Sequence, residues 1–146
     1  MSFYADVAWI ARKAHERWQE EWLRVHGDVP HCKTTTDSRW IAMHDGATAV
    51  NLAATSYDDL PREFSDSHWF SAETAMTYVQ LAGRDRRPFD AVYIEQIAAM
   101  IHSKWLERHG ATASEALRVP YAELPEDEKV KDRIFVTLAI EAWQQI

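Results

Sequence analysis

Two histidine–tryptophan pairs, His15 with Trp18 and His102 with Trp105, are the residues of this chain best placed to do chemistry. A flat indole offers a planar ligand a stacking face worth roughly 1–3 kcal/mol. An imidazole three residues earlier lies on the adjoining surface of the same helix, where it can hydrogen-bond a ligand or respond to pH near neutrality. The pairs belong to a pattern written twice: Ile10-Ala11-x3-His15-x-Arg17-Trp18 and, 87 residues on, Ile97-Ala98-x3-His102-x-Lys104-Trp105. Each copy is followed by Tyr-x-x-Leu-Pro, at Tyr57 to Pro61 and at Tyr121 to Pro125. Rare residue types recurring in one order mark a duplicated unit. Helix periodicity alone demands apolar residues three and four apart, not a His three places before a Trp in both halves. Against the ligand reading stands a structural one, in which the indoles fill the core and each imidazole is satisfied by a backbone carbonyl of the neighbouring repeat.

Other chemistries lack their residues. His15-Glu16 is followed by Gln19 where a zinc-protease helix needs its second His, and His31-Cys32 has no second Cys, so no metal is expected. There is no Gly-x-Ser-x-Gly elbow and no glycine-rich phosphate loop. The 23 carboxylates single out no acid–base pair, so the chain is not expected to be an enzyme or to need a cofactor.

The elements that must position the pairs are helices. From Phe3 to Val25 apolar residues recur at three and four, and Gly27 offers a left-handed stop. Residues 28–56, with Pro30, three threonines and Asp45-Gly46, read as a long irregular segment with at most a short helix near Arg39 to Met43. A second helix is expected from Leu60-Pro61 to Gly83, a third from the N-cap Asp90 to Gly110, and a fourth after Pro125, where Glu126, Asp127 and Glu128 favour the helix dipole. Strand signals are weak, with short extended pairs expected at most around Leu117-Arg118-Val119 and an equivalent place in the first half. The predicted fold is mainly α, with about four principal helices and long irregular connections: one domain over 1–146, made of repeat one (3–83), a linker (84–89) and repeat two (90–146).

Composition agrees with one shared core. A chain of 146 residues, 47% hydrophobic and 27% charged, is too short for two ordinary domains. A net charge of -7 disfavours nucleic-acid polymers, and the basic run Arg84-Asp85-Arg86-Arg87 reads as a solvated linker. No stretch has the apolar length to span a bilayer, and the N-terminus lacks a basic region followed by an apolar run. One cysteine, Cys32, makes no internal disulfide. A cytoplasmic location is expected.

A longer series in the second half carries a family resemblance: Arg87-Pro88-Phe89-Asp90, Ile97-Ala98-x3-His102-x2-Trp105, then Val119-Pro120-Tyr121-x2-Leu124-Pro125-x2-Glu128-Lys129-x2-Asp132-Arg133. It resembles the ryanodine-receptor repeat (RyR domain) family over about sixty residues. The first half keeps His15, Trp18, Tyr57, Leu60 and Pro61 but has no Glu-Lys, and its Trp-to-Tyr interval is 39 residues against 16 in the second. The resemblance implies two helical repeats about a pseudo-twofold axis, as in peripheral modules of calcium-release channels and in small bacterial and phage proteins. It implies a non-enzymatic module holding a planar ligand, such as an adenine nucleotide or related signal, between aromatic groups of the two halves. Trp18 and Trp105 would stack on it, with His15, His102 and Tyr121 as polar neighbours. Arg108 or Arg133 would meet a phosphate or carboxylate, and Asp132 would accept from a ribose hydroxyl or adenine amine. The alternative is a protein-interaction module whose exposed aromatic groups in 28–56, such as Trp40, form an interface patch.

Overall fold

The computed structural model describes residues 2–145; Met1 and Ile146, at the ends of the expected 1–146 span, lie outside them. The structure is mainly helical, with one two-stranded sheet among the described residues. Helix α1 runs Phe3–His26, opened by the Ser2 hydroxyl accepting from the Ala5 N–H. It closes at Gly27, whose φ of 72° turns the chain while its N–H reaches the Leu23 carbonyl at 2.8 Å. The stripe Val7, Ile10, Ala11 and Ala14 is buried.

The long connection has more order than its composition suggests. Strand β1 (Cys32–Thr34) pairs antiparallel with β2 (Ala49–Asn51), Lys33 facing Val50, and the short α2 (Ser38–Met43) lies between them. Asp37 caps α2 through the Arg39 and Trp40 N–H groups. Its second oxygen accepts from the Arg62 N–H at 2.9 Å, so one carboxylate caps both α2 and α3 (Arg62–Arg84). Those backbone donors hold Asp37 below the usual carboxylate range. The extended pair expected around Leu117-Arg118-Val119 is absent: a 3-10 turn occupies Glu115–Leu117, and the fifteen residues between Trp105 and Tyr121 are too few for a hairpin beside the turns they must make.

Both Tyr-x-x-Leu-Pro elements take one conformation, a 3-10 turn at Tyr57–Asp59 and at Tyr121–Glu123. Each delivers an extended proline to the start of a helix, Pro61 before α3 and Pro125 before α5 (Glu126–Gln144). Helix α4 (Ala91–His109) begins at Asp90, which accepts from the Tyr93 N–H at 2.9 Å. Helices α3 and α5 pack on each other; α1 packs on both, and α4 packs on both. Exchanging the halves therefore maps the α1–α5 contact onto α4–α3. One core runs through all four long helices, with Met76, Ile101 and Leu138 fully buried. Among the described residues no helix is long and apolar enough to cross a membrane.

Gly83 does not end α3, which continues to Arg84 and closes through Arg86 in the left-handed region (φ 57°). Gly83 is there for closeness: a Cβ at this position would run into the indole of Trp143 on α5. Alanine in place of a mid-helix glycine ordinarily gains about 1 kcal/mol. Here Gly83→Ala is expected to lose about 1–3 kcal/mol by overpacking. Urea unfolding checks the sign, and shortening the indole with Trp143→Leu should remove most of the penalty.

Candidate functional site

Helices α1 and α4 place their His–Trp pairs alike. The ring centroids of His15 and Trp18 lie 6.0 Å apart at 20°, and those of His102 and Trp105 5.9 Å apart at 14°. His15 Nε2 donates to the Thr55 carbonyl at 2.7 Å, and His102 Nε2 to the Val119 carbonyl at 2.8 Å. A carbonyl only accepts, so Nε2 carries the proton in both rings. Each acceptor stands two residues before the tyrosine of its own Tyr-x-x-Leu-Pro turn. The imidazoles thus bond within their own repeats, not across to the neighbouring repeat as expected. Burial lowers the His15 pKa, leaving that ring neutral near pH 7. Each histidine ties its helix to the chain that returns to α3 or α5, and each backs a half-buried indole with a fixed plane.

Trp18 and Trp105 line one cavity of about 650 Å³ between the halves, and His15 and His102 reach its wall. One turn further along each helix, Trp22 packs 5.7 Å from Trp18, and His109, which lines the cavity, 5.2 Å from Trp105. From the hairpin, His31 meets Trp18 edge-on at 5.3 Å. From α3, His68 meets His15 edge-on at 5.4 Å, its Nδ1 donating to the Phe64 carbonyl at 2.8 Å. Burial pushes His68 down to about 4, so it too is neutral.

Asp132 of α5 faces this cavity with no hydrogen-bond donor to its carboxyl among the described residues. Burial, reinforced by Glu128, pushes its pKa up to about 7. A carboxyl shifted toward neutrality in a recess is a candidate for ligand contact. It can accept from an amine when ionised, and offer both a donor and an acceptor when protonated.

Three expected site residues fall elsewhere. Arg133 is the next residue after Asp132, about 100° further round the helix, and pairs with Glu95 of α4 and with Glu126. Arg108 is one place short of the cavity-lining His109; its guanidinium lies 5.1 Å from the Phe70 ring centroid, over a separate groove between α3 and α4. Tyr121 is buried in the core. Trp40, the expected interface aromatic, is used within the chain: its indole N–H donates to the Asp59 carbonyl at 2.8 Å and its ring stacks on His44 at 3.9 Å. Among the described residues no cluster of His, Cys, Asp or Glu is arranged to hold a metal ion.

Sequence reasoning missed His68, His31, Lys33 and Lys131, which all line the cavity. No short motif marks them. The one available signal was that Lys33 and His31 sit in the extra length of the first half. Comparison with known protein families, curated proteins and solved structures finds no match for this chain.

Proposed function

We propose that the chain is a non-enzymatic module of tandem RyR-type repeats that binds a small planar ligand, such as an adenine nucleotide or related signal, between its halves. The observation that carries this is the opening of Trp18 and Trp105, one from each half and each backed by its histidine, onto one cavity of about 650 Å³, a volume suited to a small ligand. The unpaired Asp132 supplies the polar contact that fixes orientation, as a carboxyl does toward an exocyclic amine.

A ligand that binds only the native state stabilises it by about 2.7 kcal/mol at a hundredfold excess over Kd, which raises the melting temperature by about 5–10 °C for a chain of this size. Adenine nucleotides, their cyclic forms and ADP-ribose derivatives are the probes. Trp105→Ala is expected to abolish the rise while leaving a cooperative fold. A flat melting temperature with every probe at millimolar concentration rejects the reading.

A further inference from the structure

We infer that Lys33 of β1 and Lys131 of α5, which face the same cavity, form an anion-reading end, so that the site takes a planar base bearing a phosphate in preference to the nucleoside. This rests on the proposed ligand cavity and adds which element reads which end of the ligand. Lys131 Nζ lies 3.1 Å from Glu128, which balances one of the two ammonium groups. Lys33 has no ion-pair partner among the described residues. Lys33 is exposed along β1 as a residue; partial desolvation first, and then the field of Lys131, lower its pKa, and both lysines act on the nearby His31 and His68 in the same direction. Two cations converging on one carboxylate leave a site for a second negative group, where charge-assisted hydrogen bonds are stronger than neutral ones.

The remaining carboxylates facing the cavity are Glu63, on the exposed first turn of α3, and Asp132. Asp132 sits beside Lys131 in sequence but about 100° round the helix. The cavity therefore offers an amine-seeking carboxyl and a pair of anion-seeking ammoniums, with indoles on its walls. A nucleoside monophosphate has the matching sequence of groups: exocyclic amine, flat ring, phosphate. Lys33 comes with the hairpin, which only the first half possesses. The first half thus contributes a cation to the cavity that the second half does not match.

Calorimetric titration of the full chain with adenosine and with adenosine 5′-monophosphate tests this. The monophosphate should bind about tenfold tighter or more at low salt, the advantage shrinking as salt rises. Lys33→Met should erase the advantage, and Lys33→Arg should keep it. Circular dichroism checks that each variant is folded, and Lys131→Met gives a second removal of charge. Equal affinities in the wild type, or an advantage that survives both methionine variants, overturns the inference while adenosine binding upholds the cavity. If neither compound binds, the proposed function falls and the inference with it.

Discussion

Replacing His102 with alanine is expected to lower the unfolding free energy by about 3–5 kcal/mol, and replacing His15 in the same way by about 1–2 kcal/mol less. The two imidazoles are equivalent in place and geometry: both are buried, both lie beside their tryptophan, and both donate from Nε2 to a carbonyl two residues before a Tyr-x-x-Leu-Pro turn. Truncation leaves a ring-sized void in either case. The difference lies in the acceptors. Thr55 also receives the Gln19 side-chain amide at 2.8 Å, so its carbonyl keeps a donor when His15 is lost. His102 is the side-chain donor found for Val119, so His102→Ala strands that carbonyl. Leaving a buried acceptor unmade costs about 1–3 kcal/mol, whereas losing one donor of two costs little. Urea unfolding of both variants at pH 7.5 measures the gap. Equal losses would mean that void formation alone sets the cost, while Gln19→Leu combined with His15→Ala should bring the first half up to the second.

The reach of the sequence can be judged on particular residues. Gly27 and Asp90 were legible because a helix end makes local demands that one residue type answers. Gly83 misled for the same reason: a glycine near a helix end reads as a stop, and nothing local shows that Trp143, sixty residues later, lies against it. The hairpin of Cys32–Thr34 and Ala49–Asn51 was legible only as a short extended pair expected in the first half, without its residues, since three residues per strand are too few for an alternating pattern to emerge. Trp18 and Trp105 could be singled out because duplication repeats what packing does not require. Asp132 and Arg133 stood together in the motif, but a helix turns adjacent side chains about 100° apart, so one faces the cavity and the other an ion pair. His68 and Lys33 reach the cavity only through tertiary packing, which composition does not encode.

Asp132→Asn is expected to stabilise the protein at pH 8 by about 1–3 kcal/mol, the cost of ionising a carboxyl whose pKa desolvation has raised, discounted for the solvent that still reaches this half-buried residue, and to do almost nothing at pH 4. The folded pKa of Asp132 is raised to about 7 from an ordinary 3.8, so between these values the native state holds a proton that the unfolded chain has released. Its contribution favours folding at low pH and is lost as the pH rises through 7. His68 works in the opposite sense. Its folded pKa is lowered to about 4 from 6.5, so its contribution is present above 6.5 and lost as the pH falls toward 4. In the wild type the two slopes oppose each other between about pH 4 and 6.5. In the variant the His68 slope stands uncovered, and stability climbs with pH over that interval. The charged and titratable groups around the cavity that Asp132 faces are Glu128 and Lys131 on α5, Lys33 and His31 on the hairpin, Glu63 and His68 on α3, His15 on α1, and His102 and His109 on α4. All of them remain in both proteins, so the difference between the two stability curves isolates the one carboxyl. Urea midpoints at pH 4, 6 and 8 give that difference; a gap that does not grow with pH would show that Asp132 is solvated like any surface acid. The same substitution should weaken binding of an adenine ligand at pH 8 while it stabilises the fold. A residue whose removal strengthens the protein and weakens its complex is retained for the complex.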